Sequence, residues 1–282
     1  VPMGDSLLWV YEGQTQFWGN VIAARAGLIG IEQAREALAV VAAAYDRGHP
    51  GLQRWRTIQD TTNDPTIADR RPLPYRNYQM SEDYYSGGQM IWLDVDGKLR
   101  ELTGNKRSID DFAKAFFGVN PGKWDVDTYT FEDVVRTLND IQHYDWAKYL
   151  RERLDGHGPL IGGIASHGWK LVYTDKPSEA LEAEAKSSGT VDLMYSLGLS
   201  MSKEDHVRDV LWDGPAFKAG LSPSMTILAV DGREYSEDAL KDAITAAAKD
   251  SSKPIELLVK NFDQYKTVRI DYHEGLKYPH LE

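Results

Sequence analysis

The chain has 282 residues, carries 32 Lys plus Arg against 43 Asp plus Glu for a formal net charge of −11, and contains no cysteine. That length suits about two domains; the acidic balance speaks against phosphate-backbone binding, so no nucleic acid partner is expected. The missing cysteines exclude disulfides, thiolate zinc sites and cysteine nucleophiles, while leaving the cellular compartment open.

In chain order, the start "VPMGDSLLWV" lacks an initiator methionine and a basic region followed by an apolar one, so it reads as a cut inside a larger protein rather than a signal peptide. Asp5 or Ser6 is placed to cap a helix from Leu7 to about Gly27. A second helix from Gly30 has apolar positions Ile31, Ala34, Leu38, Val41 and Ala42 near the 3.6 period, and the two are expected to pack as a hairpin. The longest apolar run, Glu36 to Tyr45, is far short of the roughly 20 residues a membrane span needs. From Arg47 to Asp83, Pro50, Pro65, Pro72 and Pro74 break any period, predicting a long irregular excursion. Helices resume near Glu82. Ser108 with Asp111 and Thr130 with Asp133 form variants of the capping box, opening helices with apolar positions Ile109, Phe112, Phe116 and Val134, Val135, Leu138, Ile141.

After "GHGPLIGG", Gly156 to Gly163, the pattern changes to short strands: "WKLVY", "VDLMYSLGLSM", "HVRDVLW", "MTILAV", "IELLVKN" and "KTVRIDY". A helix from Ser236 to Lys249 interrupts them, and Glu179 to Ser188 reads as a short helical or mobile insertion. The expected organisation is an all-helical piece over residues 1–160 followed by a small α+β domain over 161–282.

Three motifs in the second half fall in a telling order: "YSLGLS" at Tyr195 to Ser200, "DGPAFKAGL" at Asp213 to Leu221 and "ILAVDGREY" at Ile227 to Tyr235. Together they resemble a PDZ domain. The resemblance implies that Ser196, Leu197, Gly198 and Leu199 form a loop whose amides hold a peptide C-terminal carboxylate, with the peptide adding as a strand between the loop's strand and the helix from Ser236. Gly198 permits the backbone to turn those amides toward one anion.

In the first half, "LLWVYEGQTQFWG" from Leu7 to Gly19 sets a lone carboxylate, Glu12, among aromatic and aliphatic residues; such a charge must be paired, reach water or serve chemistry. This stretch, followed by "ARAGLI", "YYSGGQMIWLDVDGKLRELTGNKRSIDDFAKAFFG" and "YTFEDVVRTLNDI", resembles the second half of a gluzincin metallopeptidase, in particular the glycyl aminopeptidase family, whose members end in a PDZ domain. The resemblance spans essentially the whole chain. In that family two histidines and a catalytic glutamate lie on a His-Glu-x-x-His helix, ahead of a glutamate in a Trp-x-x-Glu-Gly context. Glu12 in "WVYEG" matches that third zinc ligand, a fitting role for a carboxylate on a rigid helix.

"YSGG" from Tyr85 to Gly88 resembles the family stretch whose tyrosine hydroxyl stabilises the oxyanion, with Ser86 and Gly87 replacing its Glu-Lys pair; Tyr84 is the competing choice. The histidines are His49, His143, His157, His167, His206, His273 and His280, and none begins a His-Glu-x-x-His sequence. The chain as it stands is therefore expected to be an inactive C-terminal portion of a zinc aminopeptidase, zinc being bound in the intact protein and not by this portion. Implied partners are a peptide substrate and a C-terminal peptide at the "SLGL" loop. The rival is a non-catalytic scaffold in which the PDZ domain carries the function. If it is a portion, Leu7, Leu8, Trp9 and Trp18 are candidates for an apolar patch against the missing part. "DVDG" at Asp94 to Gly97 lacks the later ligands of a calcium loop and reads as a solvated helical face. Adjacent Ser166 and His167 have no nucleophile elbow around them.

Overall fold

The computed structural model describes residues 4–46, 55–63 and 74–282; His49, Pro50, Pro65, Pro72 and about half of the expected irregular excursion lie outside them. Two compact units are present. The first takes residues 1–28, 56–71 and 81–170, the second 29–55, 72–80 and 171–282. That partition differs from a single break at residue 160, because the second unit recruits two earlier stretches.

A 3-10 turn at Asp5–Leu7 leads into α1 (Leu8–Arg25), and no side chain caps its start. The expected helical hairpin is absent: α1 belongs to the first unit, and α2 (Ile31–Ala44) belongs to the second, where it packs on β1 (Leu171–Thr174), β9 (Tyr278–Leu281) and the helix Glu179–Ser188. The reason lies in its buried residues. Ala39, Ala42 and Ala43 are small and fully buried, and Glu36 on α2 meets His280 Nδ1 of β9 at 3.0 Å.

Next along the chain come two short turns of helix, α3 (Ile58–Thr61) in the first unit and α4 (Arg76–Gln79) in the second. Residues 75–78 are held by Trp212, whose ring stacks on Tyr78 at 4.6 Å and meets Tyr75 edge-on at 5.3 Å, and whose backbone amide donates to Asn77 Oδ1 at 3.3 Å. Each such ring pair contributes about 0.5–1.5 kcal/mol beyond its buried area.

α5 (Ser86–Thr103) is the spine of the first unit, with Met90, Ile91, Trp92, Val95 and Leu99 fully buried. α1 packs along it, and so does α9 (Gly162–Ser166). The intervening helices are α6 (Ile109–Phe116), α7 (Phe131–Ile141) and α8 (Trp146–Leu154). Ser108 and Thr130 cap α6 and α7 as the sequence predicts, with Asp111 and Asp133 closing each box, and Asp145 caps α8. Every regular element among the first unit's described residues is helical.

The second unit continues with β1, α10 (Glu179–Ser188), β2 (Thr190–Leu193), β3 (Leu199–Ser202), β4 (Val207–Val210), α11 (Pro215–Lys218), β5 (Thr226–Val230), β6 (Arg233–Glu234), α12 (Glu237–Lys249), β7 (Ile255–Asn261), β8 (Gln264–Ile270) and β9. Among the described residues these strands form three antiparallel sheets, with orders β1-β9, β2-β3-β4 and β6-β5-β7-β8. Ser236 caps α12 through Ala239 N at 3.1 Å. Leu240 and Ile244 from α12 meet Val191, Leu193, Leu197, Leu199, Ile227 and Leu257 in one core, each such side chain contributing about 1.5–3 kcal/mol relative to exposure. No helix among the described residues is long and apolar enough to cross a membrane.

Candidate functional site

The crossing of α1 and α5 sets the geometry around Glu12. A Cβ on Gly13 would stand 2.8 Å from Gly88 Cα, and one on Gly88 would stand 2.9 Å from Gly13 Cα and 3.0 Å from the Trp9 carbonyl. Only glycine at both positions allows the helices to approach so closely. One turn away the contact is aromatic: Trp9 and Trp92 stack at 5.4 Å, and Trp92 Nε1 donates to the Trp9 carbonyl at 3.1 Å. Glu12 precedes the first of these glycines by one residue, and Tyr85 precedes the second by three. The sequence motifs "WVYEG" and "YSGG" therefore meet at one helix crossing, which brings the two segments together without asking for any pairing between their side chains. Glu12 is half-buried, neither sunk in the aromatic cluster nor fully in water.

Tyr84 and Tyr85 differ in exposure. Tyr84 is buried at 3 % exposure, and its hydroxyl donates to Glu82 Oε1 at 3.2 Å. Burial first, then the charge of Glu82 and, further off, that of Glu12, push its phenol well above the ordinary tyrosine range. It is a packed, committed side chain that feels the Glu12 carboxylate. Tyr85 is the N-cap residue of α5 and is half-exposed, its ring tilted against Tyr84 at 4.9 Å. Of the pair, Tyr85 offers the accessible ring.

A catalytic zinc ion takes three protein ligands and keeps a fourth position open. Among the described residues no group of three or more His, Cys, Asp or Glu could hold a metal, so these residues alone do not make a zinc site. The histidines whose contacts are defined serve other partners. His206 pairs with Asp205, His273 bridges Asp271 and the Ala247 carbonyl, His280 bridges Glu36 and the Lys176 carbonyl, and His167 is held by Asp96 and Gly163.

The "DVDG" stretch corrects the sequence reading. It is no solvated face: Asp96 is 4 % exposed and accepts from His167 Nε2 at 2.8 Å, Arg100 Nε at 2.8 Å and the Ile109 amide at 2.7 Å. Burial alone would raise the Asp96 carboxyl, but these three donors outweigh it and hold the group below the usual carboxylate range. His167 in turn is raised, chiefly by Asp96 and despite its burial. Ser166 Oγ lies 3.4 Å from His167 Nδ1, which places a serine, a histidine and an aspartate in series. The arrangement is not a nucleophile site, because Nδ1 is committed to the Gly163 carbonyl at 2.6 Å and Ser166 Oγ donates to that same carbonyl at 3.0 Å.

In the second unit, the loop expected to face a carboxylate is tightly tied. Ser196 is 3 % exposed and its Oγ accepts from the Lys277 amide at 3.0 Å, while Leu197 and Leu199 are fully buried. Gly198 adopts φ +71°, and a Cβ there would meet Leu211 Cβ at 2.8 Å, so the glycine is required twice over. The amides of Ser196 and Gly198 both donate to the Leu193 carbonyl at 3.1 Å. β3 is bonded to β2 on one side and β4 on the other, so the edge expected to receive a peptide already carries a strand. The sequence reading took "VDLMYSLGLSM" as one strand segment; it is a hairpin, with Leu193 opposite Leu199.

Known proteins resemble this chain in fold and, over part of its length, in sequence. The chain has the fold of part of an aminopeptidase N family protein from Idiomarina loihiensis, whose crystal structure it matches with a TM-score of 0.67 at 18% identity, covering 99% of this chain and 47% of that one. It thus spans about half the length of that relative. Residues 1–91 match the M61 glycyl aminopeptidase family, so the family resemblance read from the motifs is borne out over the stretch that holds both Glu12 and Tyr85. Among curated proteins no sequence matches the chain.

Proposed function

We infer that this chain is the C-terminal portion of a zinc-dependent aminopeptidase and is inactive by itself. The observation that carries the reading is the M61 match over residues 1–91, because that stretch contains the α1/α5 crossing with Glu12 and Tyr85 beside it. The share of the structural relative that the chain spans supports the rest of a catalytic domain lying elsewhere. In this reading the intact protein hydrolyses N-terminal peptide bonds, with small residues such as glycine or alanine as substrates. Glu12 contributes one carboxylate to a zinc ion whose other ligands lie outside these residues. Zinc, when bound, supplies Lewis-acid and water-activating chemistry.

The contribution of this chain's own residues is positional. Gly13 and Gly88 lock the crossing, so Glu12 is carried on a rigid helix rather than a loop. Tyr85, a half-exposed phenol at the start of α5, donates one hydrogen bond to the developing oxyanion. Tyr84, buried against Glu82, backs the Tyr85 ring. The second unit is a PDZ-type module, a reading supported by the order of its strands and of α12 around the Ser196–Leu199 loop.

Hydrolysis of glycyl and alanyl anilides tests the proposal. The 282 residues alone are expected to show no turnover, and a longer protein bearing a His-Glu-x-x-His helix upstream of Val1 is expected to show turnover that a chelator suppresses. Chelator-sensitive turnover by the 282 residues alone would overturn the claim that they are an inactive portion.

A further inference from the structure

The "SLGL" loop and β3 have the parts of a peptide groove, and β2 fills it. Lys203 N donates to the Gly189 carbonyl at 3.1 Å, which fixes Gly189 and Lys203 as a hydrogen-bonded pair. Pairs alternate along an antiparallel ladder, so Val191 and Leu193 are bonded to β3 opposite Met201 and Leu199. Thr190 and Asp192 turn their backbone groups outward. The side chains of Val191 and Leu193 are 2 % and 1 % exposed and share a core with Leu197, Leu199, Leu240 and Ile244. β2 also lines a cavity of about 440 Å³ with Glu237 and Lys241 of α12, so it lies on the side of β3 toward that helix.

Each feature has its counterpart in strand addition. A peptide that adds to a sheet edge runs alongside one strand, puts alternate side chains into pockets and, in carboxylate-capturing loops, gives its terminal oxygens to backbone amides. β2 runs antiparallel to β3 toward the loop, buries alternate residues, and offers the Leu193 carbonyl to the amides of Ser196 and Gly198. A carbonyl oxygen is a good acceptor for the donors that would otherwise meet a carboxylate oxygen.

We propose that Thr190–Leu193 is the built-in ligand of the second unit's own peptide groove, which is therefore closed to free C-termini while β2 is docked and, once it leaves, takes a terminus of the form apolar-x-apolar-carboxylate. The proposal rests on the PDZ-type reading of that unit and is independent of the peptidase reading. Occupancy by a tethered segment is hard to compete away. Only Met194 and Tyr195 separate β2 from the loop, and so short a tether gives an effective concentration in the millimolar range or above. A free peptide of about micromolar intrinsic affinity is then weakened about a thousandfold.

The test titrates the full chain with a labelled hexapeptide ending Thr-Val-Asp-Leu with a free carboxylate, beside a Val191→Ala/Leu193→Ala variant whose fold is checked by circular dichroism and tryptophan fluorescence. The wild type is expected to show no saturation below about millimolar peptide, and the folded variant to bind at least about tenfold more tightly. Micromolar binding by the wild type overturns the built-in ligand while leaving the groove standing. Binding by neither folded protein overturns the groove itself. Should the variant fail to fold, amide exchange in the wild type decides: protection of Ser196 and Gly198 by about a hundredfold over Thr190 and Asp192 is expected, and equal rates would refute the proposal.

Discussion

Gly13→Ala and Gly19→Ala are the same substitution on the same helix, and the structure assigns them opposite signs. At Gly19 no atom lies within 4 Å of the added methyl, so the variant gains the helix-propensity difference of about 0.8–1.0 kcal/mol. At Gly13 the methyl would stand 2.8 Å from both Cα and the carbonyl carbon of Gly88 and 3.2 Å from its carbonyl oxygen, all backbone. Carbon atoms in contact prefer about 3.5–4.0 Å, so α1 and α5 must separate by up to about 1 Å along a line that also holds the Trp9 and Trp92 stack. Overpacking of this kind costs about 1–3 kcal/mol, more than the propensity gain recovers. The expected result is a loss of up to about 2 kcal/mol for Gly13→Ala against a gain of about 1 kcal/mol for Gly19→Ala. Urea unfolding followed by tryptophan fluorescence reads both. Equal stabilisation by the two variants would refute the close crossing, and with it the placement of Glu12.

The Asp96 and His167 pair predicts a pH dependence with a definite sign. His167 is raised above its ordinary value, near pH 6.5, so its contribution is complete below that value and is lost as pH rises through the raised one. Asp96 is lowered, with Arg100 also facing it, so its contribution holds above the ordinary carboxylate range and is lost as pH falls through the lowered value. Wild-type stability should therefore decline on the alkaline side of about pH 6.5, and His167→Gln should flatten that decline; an unchanged profile in thermal unfolding would contradict the pairing. Trp212→Ala removes two ring pairs from residues 75–78, about 1–3 kcal/mol in all. Amides of that segment should exchange about tenfold to a hundredfold faster, and unchanged exchange would mean that other contacts hold it.

What the sequence made legible was local or carried by motif order. Ser108, Thr130 and Ser236 announce their helices because a cap needs only residues three apart, and all three caps form. The strand segments from "WKLVY" onward are found as β1 to β5, β7 and β8, since alternation is also a local signal. β9 was missed because "YPHL" has no alternation, and its strand state comes from pairing with β1 more than a hundred residues earlier. The failed hairpin has the same origin: two helices adjacent in the chain look like partners until a distant strand pair and the helix Glu179–Ser188 take up α2. Asp96 was misread as solvated because its main donor, His167, comes 71 residues later. Glu12 and Tyr85 are singled out in the sequence only as members of an ordered set of motifs. The Gly13 and Gly88 contact, which brings their two segments to one crossing, is a tertiary fact that two short "G" signals could have suggested and did not establish.

The reading of Tyr85 as the oxyanion donor is tested most directly by Tyr85→Phe in the intact enzyme containing this chain, with kcat on a glycyl anilide and bound zinc measured together. The account predicts zinc content at the wild-type level, kcat lowered by about two orders of magnitude or more, and a far smaller effect from Tyr84→Phe. Wild-type kcat in Tyr85→Phe, or a larger loss in Tyr84→Phe, would contradict it.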